Sequence, residues 1–280
     1  MRVGFVTCVQ LGLSCMESIY ESGGSLVFAG TLRDDQAKAK SGRVYLDSFC
    51  RERQIPLSKF ANINDPDAIA ALRGAKLDWL FIIGWSQIAR QDVLDAPALG
   101  VLGMHPSLLP VGRGRAAVPW AILLGLPETG VTLFKLDGGT DTGPVVAQRR
   151  LPLDPRETAT SLYSRVNDAH RELMRATWPQ IESGQVRFTP QDASRASVWP
   201  GRTPDQGRLD ASMSLLEADR LVRAVTHPYP GAFMELEAGR LRVWRAEPLS
   251  DRPSSEAEGR VLAFRDGYLR VIDGHLERVQ

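Results

Sequence analysis

The chain has 280 residues, of which 43% are hydrophobic and 24% are charged, and this ordinary balance excludes a disordered or fibrous protein. The formal net charge of +1 gives no strong attraction to nucleic acid or to an anionic membrane surface, so neither is expected as a partner. No apolar run approaches the roughly 20 residues of a membrane span, and the first residues do not resemble a secretion signal, so a cytoplasmic protein is expected.

Short apolar runs rich in β-branched residues alternate with helix-like stretches through most of the chain, which is typical of a mostly parallel sheet covered by helices. We predict strands at residues 3–7, 25–32, 78–83, 100–104, 129–136 and 144–151. We predict helices at residues 13–22, 34–54, 63–72, 91–96, 118–124 and 161–181, with Pro179 kinking or ending the last one. The predicted fold class is therefore α/β.

The last third of the chain has a different composition. Residues 189–207 are rich in Pro, Gly, Ser, Arg and Asp, which is typical of a linker, and we place the domain boundary there, giving domains 1–195 and 196–280. Ser214 and Glu217 form a capping box before a short helix. Asp266-Gly267 and Asp273-Gly274 predict two hairpin turns, so the second domain is expected to be small and mostly β, with a barrel as one form open to it.

Cysteine and histidine residues show no metal-ligand spacing. The three cysteines, Cys8, Cys15 and Cys50, are an odd number and indicate reduced, buried thiols rather than a disulfide framework. His170, His227 and His275 lie in unrelated segments, so we expect no metal site.

His105 and Asp141 are the strongest catalytic candidates, because each follows a predicted strand of the sheet. An imidazole exchanges protons near neutral pH, and a carboxylate beside it stabilises its charged form. Such a pair suits acyl transfer to an amine, in which the attacking nitrogen loses a proton and an oxyanion needs a donor. On spacing alone the evidence is weak, since most sequences contain a His and an Asp about this far apart.

The amino-acid sequences around His105 and Asp141 are more specific evidence than their spacing. His105-Pro-Ser-Leu-Leu-Pro110 with Arg113-Gly-Arg115, and Asp141-Thr-Gly-Pro-Val-Val-Ala-Gln148, closely resemble the folate-dependent formyltransferase family. The resemblance covers most of residues 84–233 and includes Thr226-His-Pro-Tyr-Pro-Gly-Ala-Phe233, which resembles the second domain of tRNA and sugar formyltransferases. It implies a Rossmann-like formyltransferase domain followed by a small OB-like β domain.

The same resemblance implies the ligand and its site. The formyl donor would be 10-formyltetrahydrofolate, with His105 and Asp141 at the reacting atoms. The pterin ring would lie against Gln87, Ile88 and Ala89, with Arg115 nearby and the loop of Asp137, Gly138, Gly139, Thr140 and Asp141 around it. Arg113 and Arg115 are either solvated loop charges or contacts to a phosphate on the acceptor.

Gly103 departs from the family pattern, which has an asparagine two residues before the histidine as a partner of the formyl oxygen. Losing such a donor typically raises the barrier by about 3 kcal/mol. Three interpretations remain: a donor from elsewhere, such as Gln87, Ser107, a backbone N–H or a water, replaces the amide; the acceptor is an unusually good nucleophile; or the protein is an inactive relative that binds folate.

The acceptor amine is less well defined than the donor. We favour a small-molecule amine, that of a nucleotide-linked amino sugar, because Arg113-Gly-Arg-Ala116 and His227-Pro-Tyr-Pro-Gly-Ala232 look most like sugar formyltransferases. Alternatives are a free amino acid or hydroxylamine in a natural-product pathway, initiator tRNA, and water, which would make the protein a formyltetrahydrofolate deformylase. The sequence leaves the oligomeric state open between a monomer and a homodimer.

Overall fold

The computed structural model describes residues 1–39, 42–251 and 260–277. The chain divides into two compact units: the first consists of Met1–Gly114, Gly130–Leu151 and Arg165–Val198, and the second of Arg115–Thr129, Pro152–Ser164 and Trp199–Gln280. The second unit thus takes up two segments that precede the linker. A single domain boundary between residues 195 and 196 stays a prediction.

A seven-stranded sheet forms the centre of the first unit, with the strand order β3-β2-β1-β4-β5-β7-β8. Strands β1 to β5 pair in parallel, and β7 pairs antiparallel with β5. Their bounds are β1 Val3–Val6, β2 Phe28–Leu32, β3 Leu57–Phe60, β4 Trp79–Ile83, β5 Gly100–His105, β7 Glu128–Lys135 and β8 Val145–Pro152. The predicted mostly parallel, Rossmann-like sheet is confirmed.

The central strands are buried along their whole length. All five residues of β4 are buried, because helices cover both faces of the sheet and an apolar side chain is stable on either side. Phe5 of β1 stacks on Phe81 of β4 with ring centroids 5.5 Å apart. The covering helices are α1 Gln10–Glu21, α2 Asp47–Glu52, α3 Pro66–Gly74, α4 Gln91–Leu94 and α6 Ala159–Glu182.

The local predictions were wrong in three places. The single polar helix expected at residues 34–54 is a 3-10 helix, Asp34–Ala39, followed separately by α2, and residues 40 and 41 of that prediction lie outside the described part of the chain. Strand β3 was not predicted, and neither were the two-residue strands β6, Arg113–Gly114, and β9, Val198–Trp199, which pair with each other. Pro179 does not end α6, which continues to Glu182, and a kink at Pro179 stays a prediction.

The second unit contains helices α5, Ala117–Leu123, and α7, Leu215–Val225, and a four-stranded antiparallel sheet in the order β10-β11-β13-β12. The strands are β10 Ala232–Leu236, β11 Gly239–Leu249, β12 Val261–Phe264 and β13 Gly267–Glu277. The capping box of Ser214 and Glu217 begins α7 as predicted. The mostly β character of the C-terminal part is therefore confirmed.

Only one of the two predicted hairpin turns exists. Arg265 and Asp266 connect β12 to β13, as expected from Asp266-Gly267. Asp273-Gly274 lies instead within β13, opposite an irregularity of β11. A Cβ at Gly274 would lie 2.4 Å from the backbone oxygen of Arg242, so this glycine permits a close approach of two strands rather than a turn.

The three cysteines are buried thiols that are not joined in disulfide bonds, as predicted. None of the helices within the described ranges has the length and apolar character required to cross a membrane.

Candidate active site

His105 is the last residue of β5, at the carboxyl end of the parallel strands, where ligands bind in open α/β sheets. It is 8% exposed. Because β7 is antiparallel, Thr132 lies opposite His105, and the end of β7 at Lys135 lies opposite Leu102, about 10 Å back along β5 at the usual rise per residue. The loop at residues 136–144 must therefore return along the sheet to bring Asp141 to His105.

The structure brings His105 and Asp141 together. The Nδ1 atom of His105 lies 3.5 Å from Oδ2 of Asp141, and both side chains are mostly buried. On the other side of the ring, Nε2 lies 2.7 Å from the carbonyl oxygen of Gly112. The imidazole is thus held between a carboxylate and a backbone carbonyl.

These two contacts define the protonation state of the neutral ring. A carbonyl oxygen only accepts hydrogen bonds, so Nε2 of His105 carries the hydrogen and donates it to Gly112. Nδ1 is then the nitrogen that can take up a proton, and it faces the carboxylate of Asp141. This arrangement is able to accept a proton at Nδ1 and to stabilise the imidazolium that results.

The carboxylate of Asp141 is fixed by its own backbone and by the loop after His105. Asp141 has a φ of +54°, in the left-handed region that aspartate tolerates better than most residues. Its Oδ2 atom accepts a hydrogen bond of 2.8 Å from the backbone N–H of Gly114. Gly112 and Gly114 thus contact the two members of the pair; Gly114 belongs to the Arg113-Gly-Arg115 segment singled out in the sequence, and Gly112 directly precedes it.

Gln191 is a residue of the site that the sequence did not predict. Its Nε2 atom donates to the backbone oxygens of Asp141, at 2.9 Å, and Gly143, at 2.7 Å. Its Oε1 atom accepts from Nε and Nη2 of Arg113, at 3.1 and 2.8 Å. Arg113 is therefore held by Gln191 through two of its guanidinium nitrogens, and its contact with a phosphate of the acceptor stays a prediction. No motif marked Gln191, which lies in the segment predicted as a linker.

Gly103 is packed against a side chain of the returning loop. A Cβ at this position would lie 2.8 Å from Cδ2 of Leu136, so Leu136 occupies the space where a larger residue would begin. One of the suggested replacement donors is already used, because the Ser107 hydroxyl donates to the oxygen of Val111 at 2.8 Å. Gln87 uses one of its two amide hydrogens in a bond of 2.8 Å to the oxygen of Ala61. The second hydrogen of Gln87, a backbone N–H and a water remain as candidate donors.

The residues expected at the pterin form a partly exposed turn after β4. Gln87 braces the neighbouring loop, because its Oε1 atom also accepts from the N–H of Ile63 at 2.8 Å. Ile88 is 75% exposed, and its carbonyl oxygen accepts from the side chain of Asn64. Ala89 is half-buried. The part of this turn that stays available to a ligand is its backbone and the side chain of Ile88.

The loop expected around the pterin is held by its own residues. Oδ1 of Asp137 accepts from the N–H of Gly139 at 3.0 Å and from the hydroxyl of Thr142 at 2.6 Å. A Cβ at Gly138 would meet no atom within 4 Å, and Thr140 is exposed. Arg115 belongs to the second compact unit, where its N–H donates to the oxygen of Trp199 at 3.0 Å.

Among the residues that the structure describes, no group of three or more His, Cys, Asp or Glu side chains could hold a metal ion. His170 is fully buried in α6, where its Nδ1 atom lies 2.7 Å from the carbonyl oxygen of Val166. Burial lowers the pKa of His170 to about 4, so this ring is neutral near pH 7.

Comparisons with known proteins cover nearly the whole chain. The formyl transferase family model matches residues 39–177, and the model of the formyl transferase C-terminal domain matches residues 202–275. A methionyl-tRNA formyltransferase of Myxococcus xanthus (strain DK1622) is 34% identical over 276 residues, which cover 98% of this chain and 86% of the relative.

Two solved structures share the fold. An N-formyltransferase from Helicobacter canadensis, in complex with folinic acid and dTDP-3-aminofucose, has a TM-score of 0.71 and 15% identity, covering 98% of this chain and 100% of that chain. HypX from Aquifex aeolicus, in complex with tetrahydrofolic acid, has a TM-score of 0.69 and 20% identity, covering 99% of this chain but only 44% of that chain.

Proposed function

The chain belongs to the formyl transferase family and is a formyl-transferring enzyme that uses formyl-folate, and we propose that it formylates the amine of a nucleotide-linked amino sugar with His105 and Asp141 as the reacting pair. The observation that carries the proposal is the position of Nδ1 of His105, 3.5 Å from the carboxylate of Asp141. The donor is the formyl-folate itself, which supplies the formyl group as an activated amide.

Proton transfer at His105 follows from this geometry. As the amine forms its bond to the formyl carbon, Nδ1 of His105 takes up the proton that the nitrogen loses. Oδ2 of Asp141 faces the imidazolium and stabilises it, while the Gly112 carbonyl keeps the ring oriented through Nε2. When the bond to the folate nitrogen breaks, Nδ1 returns its proton to that leaving nitrogen. The oxyanion that forms between these two steps needs a separate donor, because both N–H groups of the protonated ring face other acceptors, Asp141 and Gly112.

The residues present fit a flat, hydrogen-bonding ring such as the pterin. The exposed side chain of Ile88 offers an apolar surface, and the backbone of Gln87, Ile88 and Ala89 offers donors and acceptors. Gly138 leaves open space where a side chain would stand, which permits close approach of a ligand to the loop. We assign the folate to these residues of the first unit, together with Gly139, Thr140 and Asp137, whereas the position of Arg115 beside it stays a prediction.

Two features support an amino sugar as the acceptor. The segments Arg113-Gly-Arg-Ala116 and His227-Pro-Tyr-Pro-Gly-Ala232 resemble those of sugar formyltransferases, and the net charge of +1 offers little attraction to a polyanion such as tRNA. The Helicobacter canadensis enzyme with the same fold is described with dTDP-3-aminofucose. Initiator tRNA is the second candidate, because the Myxococcus xanthus relative, 34% identical to this chain, is a methionyl-tRNA formyltransferase.

An assay of tetrahydrofolate release tests the proposal. The protein is incubated with 10-formyltetrahydrofolate alone, and then with a dTDP-linked amino sugar, methionyl initiator tRNA, a free amino acid or hydroxylamine. We expect release only with the amino sugar. Release of tetrahydrofolate without an acceptor would identify a deformylase, and release with methionyl initiator tRNA would support the second candidate. Binding of the formyl-folate without release would identify an inactive relative.

Replacing His105 tests the reacting pair independently of the acceptor's identity. We expect His105→Ala to abolish formyl transfer with an unchanged fold, because no other ring nitrogen faces Asp141 among the described contacts. His275→Ala is the matched control, because the His275 side chain is 57% exposed and lies in the antiparallel sheet of the second unit. Near-normal turnover of His105→Ala would refute the assignment.

A further inference from the structure

The segment that leads from α6 to the second unit contributes more than a connection. Thr189 forms a bridge to Val145 at the start of β8, with N–H to carbonyl distances of 2.8 Å in both directions. Ser197, near its other end, accepts from the N–H of Gly112 at 2.9 Å through its hydroxyl and from the N–H of Arg113 at 2.9 Å through its carbonyl. Residues 189–197 therefore contact both loops that carry the reacting pair. We call these residues the strap.

Gln191 is the only residue of the described part of the strap whose side chain bonds to both loops. On one side, its amide donates to two carbonyls of the Asp141 loop, those of Asp141 itself and of Gly143. On the other side, its oxygen takes two hydrogen bonds from Arg113, which lies between Gly112 and Gly114. All four hydrogen-bonding positions that a primary amide offers most readily, two donors and two acceptor sites, are thus used.

The two loops joined by Gln191 are those that place His105 and Asp141. Gly112 receives the hydrogen of His105 Nε2, and Gly114 donates to the carboxylate of Asp141. The backbone of Asp141 has a positive φ, which costs free energy and persists only where the surroundings hold it. The hydrogen bond from Gln191 to the Asp141 carbonyl acts directly on this strained residue.

We propose that Gln191 is a positioning residue for formyl transfer, which holds the Asp141 carboxylate against Nδ1 of His105 by joining the two loops. The proposal rests on the assignment of His105 and Asp141 as the reacting pair. Loss of the amide leaves two carbonyls without donors and releases the backbone of Asp141. A displacement of about 1 Å at reacting groups can cost on the order of a hundredfold in rate.

Two substitutions separate the contributions of the amide. Gln191→Met has a similar length but removes all the hydrogen bonds, whereas Gln191→Glu keeps an acceptor for Arg113 and removes both donors to the Asp141 loop. We expect both variants to lower kcat roughly 10- to 100-fold, with the KM for 10-formyltetrahydrofolate changed less than about threefold. Parental kcat in either variant, or an effect on KM alone, would overturn the proposal.

Thr177→Val is the matched control for lost stability. Thr177 is 4% exposed and donates to the carbonyl of Leu173 within α6, so its replacement removes a buried hydrogen bond from the same unit. We expect unfolding in urea to show comparable destabilisation for Thr177→Val and Gln191→Met, with kcat lowered only in the latter. An equal fall of kcat in both would indicate a merely structural role and would also overturn the proposal.

A spectroscopic readout needs no acceptor. The His105 ring signals in the NMR spectrum, identified by their absence in His105→Ala, are expected to shift in Gln191→Met and Gln191→Glu at fixed pH, because the carboxylate has moved. They are expected to keep their parental positions in Thr177→Val. Unchanged signals in both Gln191 variants would refute the positioning role, whereas full activity of His105→Ala would refute the reacting pair itself.

Discussion

The side chain of Leu136 occupies the space in front of Gly103, where a Cβ would lie 2.8 Å from its Cδ2 atom. Gly103→Asn alone must therefore displace Leu136, and overpacking of this kind typically costs about 1–3 kcal/mol. We expect the single variant to be less stable and no more active, and Gly103→Asn/Leu136→Ala to recover stability with turnover near that of the parent. Urea unfolding and the release assay measure both quantities.

The alternative outcome of that experiment is equally informative. If the double variant turns over formyl-folate faster by orders of magnitude, as an oxyanion donor worth about 3 kcal/mol would provide, the parent protein lacks a replacement donor. Leu136→Ala alone is the control, because it opens the same space without supplying an amide.

Gly138 offers a direct test of the folate assignment. A Cβ at this position meets no atom within 4 Å, so Gly138→Ala is expected to change the unfolding free energy by less than about 0.5 kcal/mol. If the folate lies against the loop, the added methyl group should raise the KM for 10-formyltetrahydrofolate roughly tenfold, or about 1.4 kcal/mol.

Gly74→Ala is the control for Gly138→Ala, because its Cβ would also meet no atom within 4 Å and it lies at the end of α3. We expect this variant to keep the parental KM. A parental KM for Gly138→Ala as well would remove Gly138 from the folate site.

The strands of the central sheet and the helices that cover it could be predicted because the pattern of apolar residues in each segment reflects which of its faces are buried. A run such as Trp79–Ile83 is apolar at every position, as burial on both faces requires. Strand β3, Leu57–Phe60, was missed because only Phe60 is fully buried and the pattern of its four residues is not distinctive. Asp273-Gly274 was wrongly predicted as a turn because an Asp-Gly pair is also the usual sequence of a hairpin turn. Here the glycine instead permits close contact between two strands.

The site was predictable only where its residues belong to a contiguous motif. His105 and Asp141 stood in segments that a family pattern distinguishes from ordinary His–Asp pairs. Gln191 acts on residues 48 and 50 positions before it and accepts from one 78 positions before it, and its surroundings have the composition of a linker. Arg115–Thr129 and Pro152–Ser164 join the second unit although they lie before the linker, and no composition shift marks them in the sequence.

Breaking a buried ion pair in α7 should destabilise the second unit strongly. Asp219 and Arg223 are 6% and 9% exposed in their side chains, lie 2.9 Å apart, and Asp219 also pairs with Arg156. Asp219→Ala leaves the Arg223 charge buried without its partner, which we expect to cost about 3–5 kcal/mol of unfolding free energy. Urea unfolding followed by circular dichroism measures this loss.

The pair of Glu235 and Arg240 is the matched control for Asp219. Its side chains are 39% and 38% exposed, and solvent-exposed pairs contribute less than about 1 kcal/mol. Similar losses for Asp219→Ala and Glu235→Ala would contradict the distinction between the two pairs.

His170 should make the stability of the protein depend on pH below neutrality. Burial lowers the pKa of its ring to about 4, whereas the unfolded chain keeps the ordinary value of 6.5. Between these values the unfolded state binds a proton that the folded state does not, so the contribution of His170 to stability is fully present above pH 6.5 and is lost as the pH falls toward 4. At pH 4.5 this loss is on the order of 2 kcal/mol.

His170→Gln removes the titrating ring, so we expect the difference in unfolding free energy between parent and variant to change by this amount between pH 7 and pH 4.5. His275→Gln, at an exposed position, should leave the parental pH dependence unchanged. Parallel pH curves for the parent and His170→Gln would show that the buried ring is not the source of the effect.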